Sequence, residues 1–236
     1  MRIAVIGDSL SSRNNGASAV AWPDLLDSMI KSLGVFDIGV RNYSMPGLRW
    51  RTAWEPTPGY LIGCTLSPVQ AVRRDGADLV VTLLGANDRQ NSSAGQDAVD
   101  YYTGIAPMPA LFIRERFYDD THGAMVTSPT LVMPAEAQYM EAVYDFLQSA
   151  GANAWRAVTL WKLYRMGMSY DLWHPTNSGK QWLAAAIYMH LQQSLPITPI
   201  GRNISTLFDL GFVSNGEQWV ERSPRPDYDQ LMRVPA

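Results

Sequence analysis

Residues 7–10 read Gly-Asp-Ser-Leu and directly follow the apolar run of residues 3–6. A short β-branched run that stops at Gly, Asp and Ser is typical of a buried strand that ends in a tight turn. A serine at the carboxyl end of a strand lies where open α/β sheets bind their ligands. Ser9 is therefore a candidate nucleophile, although an ordinary strand-to-loop turn uses the same residue types.

A serine hydroxyl is a weak nucleophile unless a base takes its proton and a further group orients that base. The sequence offers three histidines as the base. His190 lies in a helical stretch and His122 in a polar loop, where packing and solvated roles are typical. His174 stands just before a predicted helix that Thr176 could cap. Asp171 lies in the same loop, so its carboxylate can reach the imidazole and fix one tautomer.

Two further turns could supply hydrogen-bond donors to a reaction centre. Asn87 belongs to a Gly-Ala-Asn-Asp turn that ends a second apolar run, residues 78–84. Strand ends of a parallel sheet meet at one edge, so Asn87 and Ser9 could face a common cleft. The Asn87 amide is a neutral donor of the kind that stabilises an oxyanion. Gly47 follows another candidate strand and leaves its backbone N–H open to close approach. Both segments also consist of residue types that are common in ordinary turns.

Together these segments resemble, in order and in residue type, the conserved blocks of the SGNH, or GDSL, hydrolase family. The matching positions are residues 7–10, Gly47, residues 85–88 and residues 171–174. The resemblance spans most of residues 1–192. It does not extend to residues 89–134 or to the tail after Pro196.

The resemblance implies a role for each matched residue. Ser9 would be the nucleophile, His174 its general base, and Asp171 the group that orients His174 and stabilises the imidazolium. The backbone N–H groups of Ser9 and Gly47 would form the oxyanion hole with the side chain of Asn87. Neither a metal ion nor an organic cofactor is implied.

Substrate-binding residues are predicted from the neighbourhood of these motifs. Trp173 lies between the aspartate and the histidine of the fourth block, and Trp50 lies in the first of two irregular, aromatic-rich regions, 48–76 and 89–134. Long loops in a compact domain are usually functional or flexible, and aromatic side chains suit a sugar or an aryl group. The alternative is that these aromatic residues fill small cores under the loops. Asp8 is expected either to contact substrate or to shape its own turn.

The activity that the resemblance implies is a serine esterase that hydrolyses short acyl esters through an acyl-serine intermediate. O-acetyl groups on a carbohydrate are the leading case. One alternative is a catalytically quiet carbohydrate-binding or structural module of a virion or surface assembly. The others are an acyltransferase and a lipid esterase with the same triad. The presence of every catalytic residue type favours an enzyme over the quiet module.

Composition narrows the partners. The 236 residues carry a formal net charge of −3 without a basic cluster, so no nucleic-acid partner is expected. No stretch approaches the ~20 apolar residues that span a bilayer. No signal peptide is recognised, which predicts a cytoplasmic or virion-associated protein. The single cysteine, Cys64, permits no internal disulfide and is expected to be a packing residue.

Alternating strands and helices predict a single-domain three-layer α/β/α sandwich with a mainly parallel, flavodoxin-like sheet. The SGNH-type domain is assigned to residues 1–195. Residues 196–236 form a C-terminal extension that would wrap the domain, mediate contacts in a homo-oligomer or join the domain to a larger assembly. The predicted strands are 2–7, 35–43, 78–84 and 154–161, and the predicted helices are 18–33, 135–150 and 177–192.

Overall fold

The computed structural model describes most of the first half of the chain and selected segments of the second half. The described residues are 1–13, 20–32, 35–55, 66–88, 91–116, 118–119, 124–125, 142–143, 145–151, 153–159, 174–194, 212–214 and 219–221. The helices are α1 (Trp22–Ser32), α2 (Trp50–Trp54), α3 (Pro68–Asp75), α4 (Ala94–Ile105) and α5 (Asn177–Ser194), and residues 142–143 and 145–149 are also helical. The strands are β1 (Arg2–Gly7), β2 (Gly39–Asn42), β3 (Leu79–Leu83), β4 (Ala110–Arg116), β5 (Tyr118–Asp119), β6 (Ala124–Met125), β7 (Asn153–Thr159), β8 (Phe212–Ser214) and β9 (Trp219–Glu221).

Five strands form one parallel sheet in the order β2-β1-β3-β4-β7. Val5 pairs with Val81 across β1 and β3, and Val81 pairs with Leu111 across β3 and β4. Every residue of β3 is buried, as expected for a strand covered on both faces. This is the flavodoxin-like strand order, and its connections reverse direction between β1 and β3. Ligands of such sheets bind at the carboxyl ends of these two strands.

Side chains that alternate along β1 divide between the two layers, because successive strand residues point to opposite faces. Ile3 and Val5 pack with helices α1 and α5, and Ala4 and Ile6 pack with helices α2, α3 and α4. The sheet is therefore covered on both sides, which confirms the predicted three-layer sandwich. No helix of the described residues is long and apolar enough to cross a membrane.

Most predicted elements coincide with observed ones, but the two regions predicted to be irregular do not. Residues 48–76 contain helices α2 and α3, and residues 89–134 contain α4 and β4. Helix α4 escaped prediction because its sequence holds Gly95 and Gly104, which weaken a helical pattern. It forms because Ala94, Ala98, Tyr101 and Ile105 are buried in the core beside β3 and β4. Tertiary packing thus outweighs a weak local preference.

In the C-terminal extension, β8 and β9 pair as an antiparallel ribbon. The assignment of residues 196–236 as an extension with a role of its own stays a prediction.

Candidate active site

A hydrogen-bond contact at the carboxyl edge of the sheet joins the candidate nucleophile to the candidate base. The Nε2 atom of His174 lies 2.8 Å from the Oγ atom of Ser9, although 165 positions separate the two residues. Ser9 stands just beyond the end of β1, and His174 stands just before α5. Both side chains are half-buried, so they are held by the protein but accessible from the cleft.

The turn that presents Ser9 is fixed on both sides. The Leu10 N–H donates to Oδ1 of Asp8 over 2.9 Å, and the Ser11 N–H donates to the Asp8 carbonyl over 3.1 Å. At Gly7 an added Cβ would lie 2.5 Å from the Ser11 hydroxyl oxygen and 2.9 Å from the Leu83 carbonyl oxygen. The turn therefore has no room for a side chain at this position, which explains the glycine.

His174 is positioned by the start of α5. The Thr176 hydroxyl oxygen accepts a hydrogen bond of 3.2 Å from the backbone N–H of Gly179, and the Thr176 carbonyl accepts one of 2.8 Å from Lys180. The predicted helix cap is thus confirmed. It fixes the first turn of the helix, and with it the backbone on which His174 stands.

Asn87 lies in a single turn of 3-10 helix, Ala86–Asp88, that follows β3. Its side-chain Nδ2 donates to the carbonyl of Leu48 over 3.0 Å and to Oδ2 of Asp8 over 3.3 Å. The loops after β1, β2 and β3 are therefore joined through one amide group. Gly47 lies next to Leu48 with a left-handed φ of 75° and is exposed.

Ser9, Asn87 and His174 border a cleft of about 820 Å³. Nine of its eleven described lining residues are polar or charged. The lining consists of Ser9, Leu10, Arg49, Arg51, Thr52, Ala86, Asn87, Asn91, Ser93, Asp97 and His174. Gly47 is not among them. No group of three or more His, Cys, Asp and Glu side chains among the described residues is arranged to hold a metal ion.

Two buried carboxyls lie beneath the cleft. Burial raises the pKa of Asp8 to about 7 against the opposing hydrogen bond from the Leu10 N–H, and the negative charge of Asp88 adds a smaller upward shift. Burial also raises the pKa of Asp88 to about 6, against the bond from the Trp50 N–H and the amide of Asn91. Protonation is therefore favoured because water is excluded from both carboxyls.

Two of the residues that were predicted to bind substrate, Trp50 and Asp8, are buried and do not line the cleft. The Trp50 side chain is 1% exposed and packs in the core with its ring centroid 5.4 Å from that of Tyr101 and 6.2 Å from that of Phe112. The prediction that Trp50 contacts substrate is wrong, because α2 turns its first residue toward the sheet. Asp8 is fully buried and shapes the turn, so its alternative role as a substrate contact is also wrong.

Asp171, Trp173 and Cys64 lie outside the described residues, so their roles stay predictions. The sequence alone leaves open whether Arg49 and Arg51 bind an acidic substrate group or are solvated surface arginines, and the structure places both on one wall of the cleft. Arg49, Arg51 and Thr52 from the start of α2 form it with residues Asn91, Ser93 and Asp97 near the start of α4. The sequence signal that points to this wall is the position of Arg49, which stands two residues after Gly47 in the same loop.

Neither a protein-family model nor a curated protein matches this sequence. Several solved structures share its fold. A lipase/acylhydrolase from Enterococcus faecalis is 18% identical, with 86% of this chain and 100% of that chain covered and a TM-score of 0.57. TesA is 18% identical over 83% of this chain and 100% of that chain, with a TM-score of 0.61. A mutant acetyl esterase with an acetate ion is 14% identical over 82% of this chain and 97% of that chain, with a TM-score of 0.54.

These similarities define the class of fold. The chain has the single-domain α/β/α fold of the SGNH, or GDSL, hydrolases, the family that its sequence blocks resemble.

Proposed function

We propose that this protein is a serine esterase that hydrolyses short acyl esters. The observation that carries the proposal is the 2.8 Å contact between Ser9 Oγ and His174 Nε2, two residues that line the cleft. A nucleophile within hydrogen-bond distance of its base is the arrangement that acyl transfer requires. Both residues stand at the carboxyl edge of the parallel sheet, which is where ligands bind in open α/β folds.

In the proposed reaction the Ser9 hydroxyl donates its hydrogen to Nε2 of His174, which must be neutral. As Oγ attacks the ester carbonyl carbon, the proton passes to Nε2 and the carbonyl oxygen becomes an oxyanion. The tetrahedral intermediate then expels the alcohol oxygen, which takes the proton from the imidazolium. In the second half-reaction, water attacks the carbonyl carbon of the acyl-serine while His174 takes a proton from it. The resulting intermediate releases the carboxylic acid, and Ser9 Oγ takes the proton back from the imidazolium.

The oxyanion would be bound by the backbone N–H groups of Ser9 and Gly47 and by the amide of Asn87. Asn87 lines the cleft, and its bond to Asp8 at 3.3 Å is longer than its bond to Leu48 at 3.0 Å. The longer bond is the one that a developing oxyanion would share or replace. Donors held in place before the reaction need no reorganisation when charge develops.

Asp171 is proposed to accept a hydrogen bond from Nδ1 of His174 and so to keep Nε2 free to act as the base. The proposal rests on its spacing from His174 and on the family resemblance.

A short acyl group is favoured by the chemistry of the cleft. Leu10 and Ala86 are the apolar residues among its eleven described lining residues. A lipid esterase needs a long apolar surface for the acyl chain, and this lining offers a polar wall instead. Acetate esters of a carbohydrate are the proposed substrates, in keeping with the acetyl esterase among the similar folds. Transfer to an alcohol in place of water would use the same residues and would be revealed by ester products when an alcohol is added.

The test compares p-nitrophenyl acetate with p-nitrophenyl octanoate for the wild type, Ser9→Ala and a control, Ser32→Ala, at the exposed end of α1. We expect the acetate to be hydrolysed faster than the octanoate. Ser9→Ala should be inactive while keeping the wild-type melting temperature, and the control should retain activity. A fluorophosphonate probe with mass analysis reports the nucleophile without a model ester. Labelling at a residue other than Ser9, or activity retained in Ser9→Ala, would refute the proposal.

A further inference from the structure

The wall of the cleft between α2 and α4 carries both positive and negative side chains. Arg49 and Arg51 approach the cleft from the start of α2, and Asp97 approaches it from the first turn of α4. A charged wall beside a reaction centre selects substrates by charge if one of its charges is left uncompensated by the protein.

The negative charge of Asp97 is engaged within its own loop. Its Oδ2 atom accepts from the amide of Asn91 over 3.0 Å and from the hydroxyl of Ser93 over 2.7 Å, and the residue is only 7% exposed. Arg51 is paired along its helix, because its Nε donates to Oε2 of Glu55 over 2.7 Å. Arg51 also interacts electrostatically with Asp97, so each of these two side chains has an opposite charge as a partner.

Arg49 differs from both. Its backbone is fixed, since its N–H donates to the Thr52 hydroxyl over 3.1 Å and its carbonyl accepts from Ala53 over 3.0 Å. Its side chain lines the cleft and the residue is exposed. Within the described part of the chain, its guanidinium takes part in no hydrogen bond and no ion pair. Its positive charge thus remains for a ligand.

One buried carboxyl interacts with that charge from a distance longer than an ion pair. Arg49 interacts electrostatically with Asp88, but Asp88 is only 2% exposed. Its oxygens already accept from the N–H of Trp50 and the amide of Asn91. Asp88 therefore does not occupy the guanidinium of Arg49.

We propose that Arg49 binds an anionic group, a carboxylate or a sulfate, on the alcohol portion of the ester substrate. The inference rests on the proposed function and deepens it. A short acyl group has no place for a charge, so the anion must belong to the alcohol portion. A guanidinium offers paired N–H donors that match the two oxygens of such a group. The substrate class is then a short-chain ester of an acidic alcohol, such as an acetylated acidic sugar.

The test uses three acetate esters of related shape: 4-acetoxybenzoate, 4-acetoxybenzenesulfonate and neutral 4-acetoxybenzamide. The measured quantity is the selectivity, which is kcat/KM for an anionic ester divided by kcat/KM for the amide. Intrinsic differences in leaving-group reactivity cancel when this ratio is compared between variants. The variants are Arg49→Gln, Arg49→Lys and the control Arg74→Gln, an exposed arginine that pairs with Asp75 at the end of α3.

We expect Arg49→Gln to lower the selectivity roughly 10-fold, which corresponds to about 1.4 kcal/mol. Arg49→Lys should keep part of it, because the charge remains but the paired geometry is lost. Arg74→Gln should match the wild type. Added salt should reduce the selectivity of the wild type and leave that of Arg49→Gln nearly constant. The anionic ester most affected distinguishes a carboxylate from a sulfate. Equal selectivity of Arg49→Gln and wild type for both anions would overturn the proposal.

A binding measurement separates this proposal from the proposed function. In the Ser9→Ala background, calorimetry gives the dissociation constants of 4-acetoxybenzoate and 4-acetoxybenzamide with and without Arg49→Gln. We expect the benzoate to bind more tightly than the amide, and Arg49→Gln to remove the difference. If the wild type hydrolyses none of the esters, the esterase proposal fails while the binding result still decides the role of Arg49. Equal binding of both ligands in the presence of Arg49 would refute that role.

Discussion

The side-chain amide of Asn87 donates a hydrogen bond of 3.3 Å to the carboxyl of Asp8, across 79 positions of sequence. Asp8 immediately precedes the proposed nucleophile, and Asn87 carries the proposed oxyanion donor. Through the same amide, Asn87 also holds the carbonyl of Leu48 beside Gly47. One amide–carboxyl contact therefore joins the turns that would present the nucleophile and stabilise the oxyanion.

Asn87→Ala should lower kcat on the order of 10²–10³-fold, because an oxyanion donor acts mainly in the transition state. The same change removes the bonds to Asp8 and Leu48 and should cost about 1–3 kcal/mol of stability. Steady-state kinetics and urea unfolding measure the two effects. Asn91→Ala is the comparison, since it deletes another amide at the cleft that bonds to Asp97 and Asp88. An equal drop in kcat for both variants would contradict a specific role of Asn87.

His174→Ala should reduce kcat/KM for p-nitrophenyl acetate on the order of 10³–10⁶-fold, because the variant lacks the base whose Nε2 lies 2.8 Å from Ser9 Oγ. Added imidazole should restore part of the activity if it enters the space that the side chain leaves. Activity assays with and without imidazole measure this. Activity close to that of the wild type in His174→Ala would exclude His174 as the base.

Thr176→Ala should cost about 1 kcal/mol of stability, because the N–H of Gly179 loses its cap. The fraying of the first helical turn should also loosen His174 and lower kcat. Thr176→Ser keeps the hydroxyl and should restore both properties. Thermal unfolding and kcat are measured on the two variants, and a loss of activity that Thr176→Ser does not restore would argue against the cap as its cause.

Gly7→Ala should destabilise the protein by about 1–3 kcal/mol and impair catalysis, because the added Cβ meets Ser11 and the Leu83 carbonyl at under 3 Å. Gly39→Ala, at the start of β2, is the matched control, since a Cβ there meets nothing within 4 Å. Gly39→Ala should leave the stability unchanged or raise it by up to about 1 kcal/mol, because alanine lowers the conformational entropy of the unfolded chain. Denaturant unfolding of the pair measures the difference, and equal stabilities would disprove the steric argument.

The buried carboxyl of Asp88 should make the free energy of unfolding depend on pH. Its pKa rises from 3.8 to about 6 on folding. A folded pKa above the unfolded one gives stability that is fully present below pH 3.8 and is lost as pH rises through about 6. Asp75 acts with the opposite sign, because Arg74 and Tyr43 hold its pKa below the usual range.

The contribution of Asp88 is isolated by subtracting the unfolding free energy of Asp88→Asn from that of the wild type at pH 4, 6 and 8. Asn keeps an acceptor for the Trp50 N–H but does not titrate. The wild type should lose stability relative to Asp88→Asn as the pH rises from 4 to 8. A constant difference would show that Asp88 has the same pKa in the folded and unfolded states.

The sequence predicted the elements whose pattern is local and strong. The strand that ends at Gly7 and the helix that begins at Asn177 were both placed within two residues of their observed bounds, because β-branched runs and a threonine cap leave clear local signals. The motifs were also sufficient to pair Ser9 with His174, since the strand order of such a sheet brings its carboxyl ends to one edge.

Residue identity and spacing therefore predicted the contact between Ser9 and His174 and the class of fold. Tertiary structure alone decided which neighbours face the cleft. Trp50 turns into the core while Arg49, one position earlier, lines the cleft, because α2 rotates successive side chains by a fixed angle and the apolar ring gains most by burial beside Tyr101. The burial of Asp8 and the position of Arg49 on the cleft wall depend on contacts between segments that are distant in sequence. Such contacts leave no local pattern.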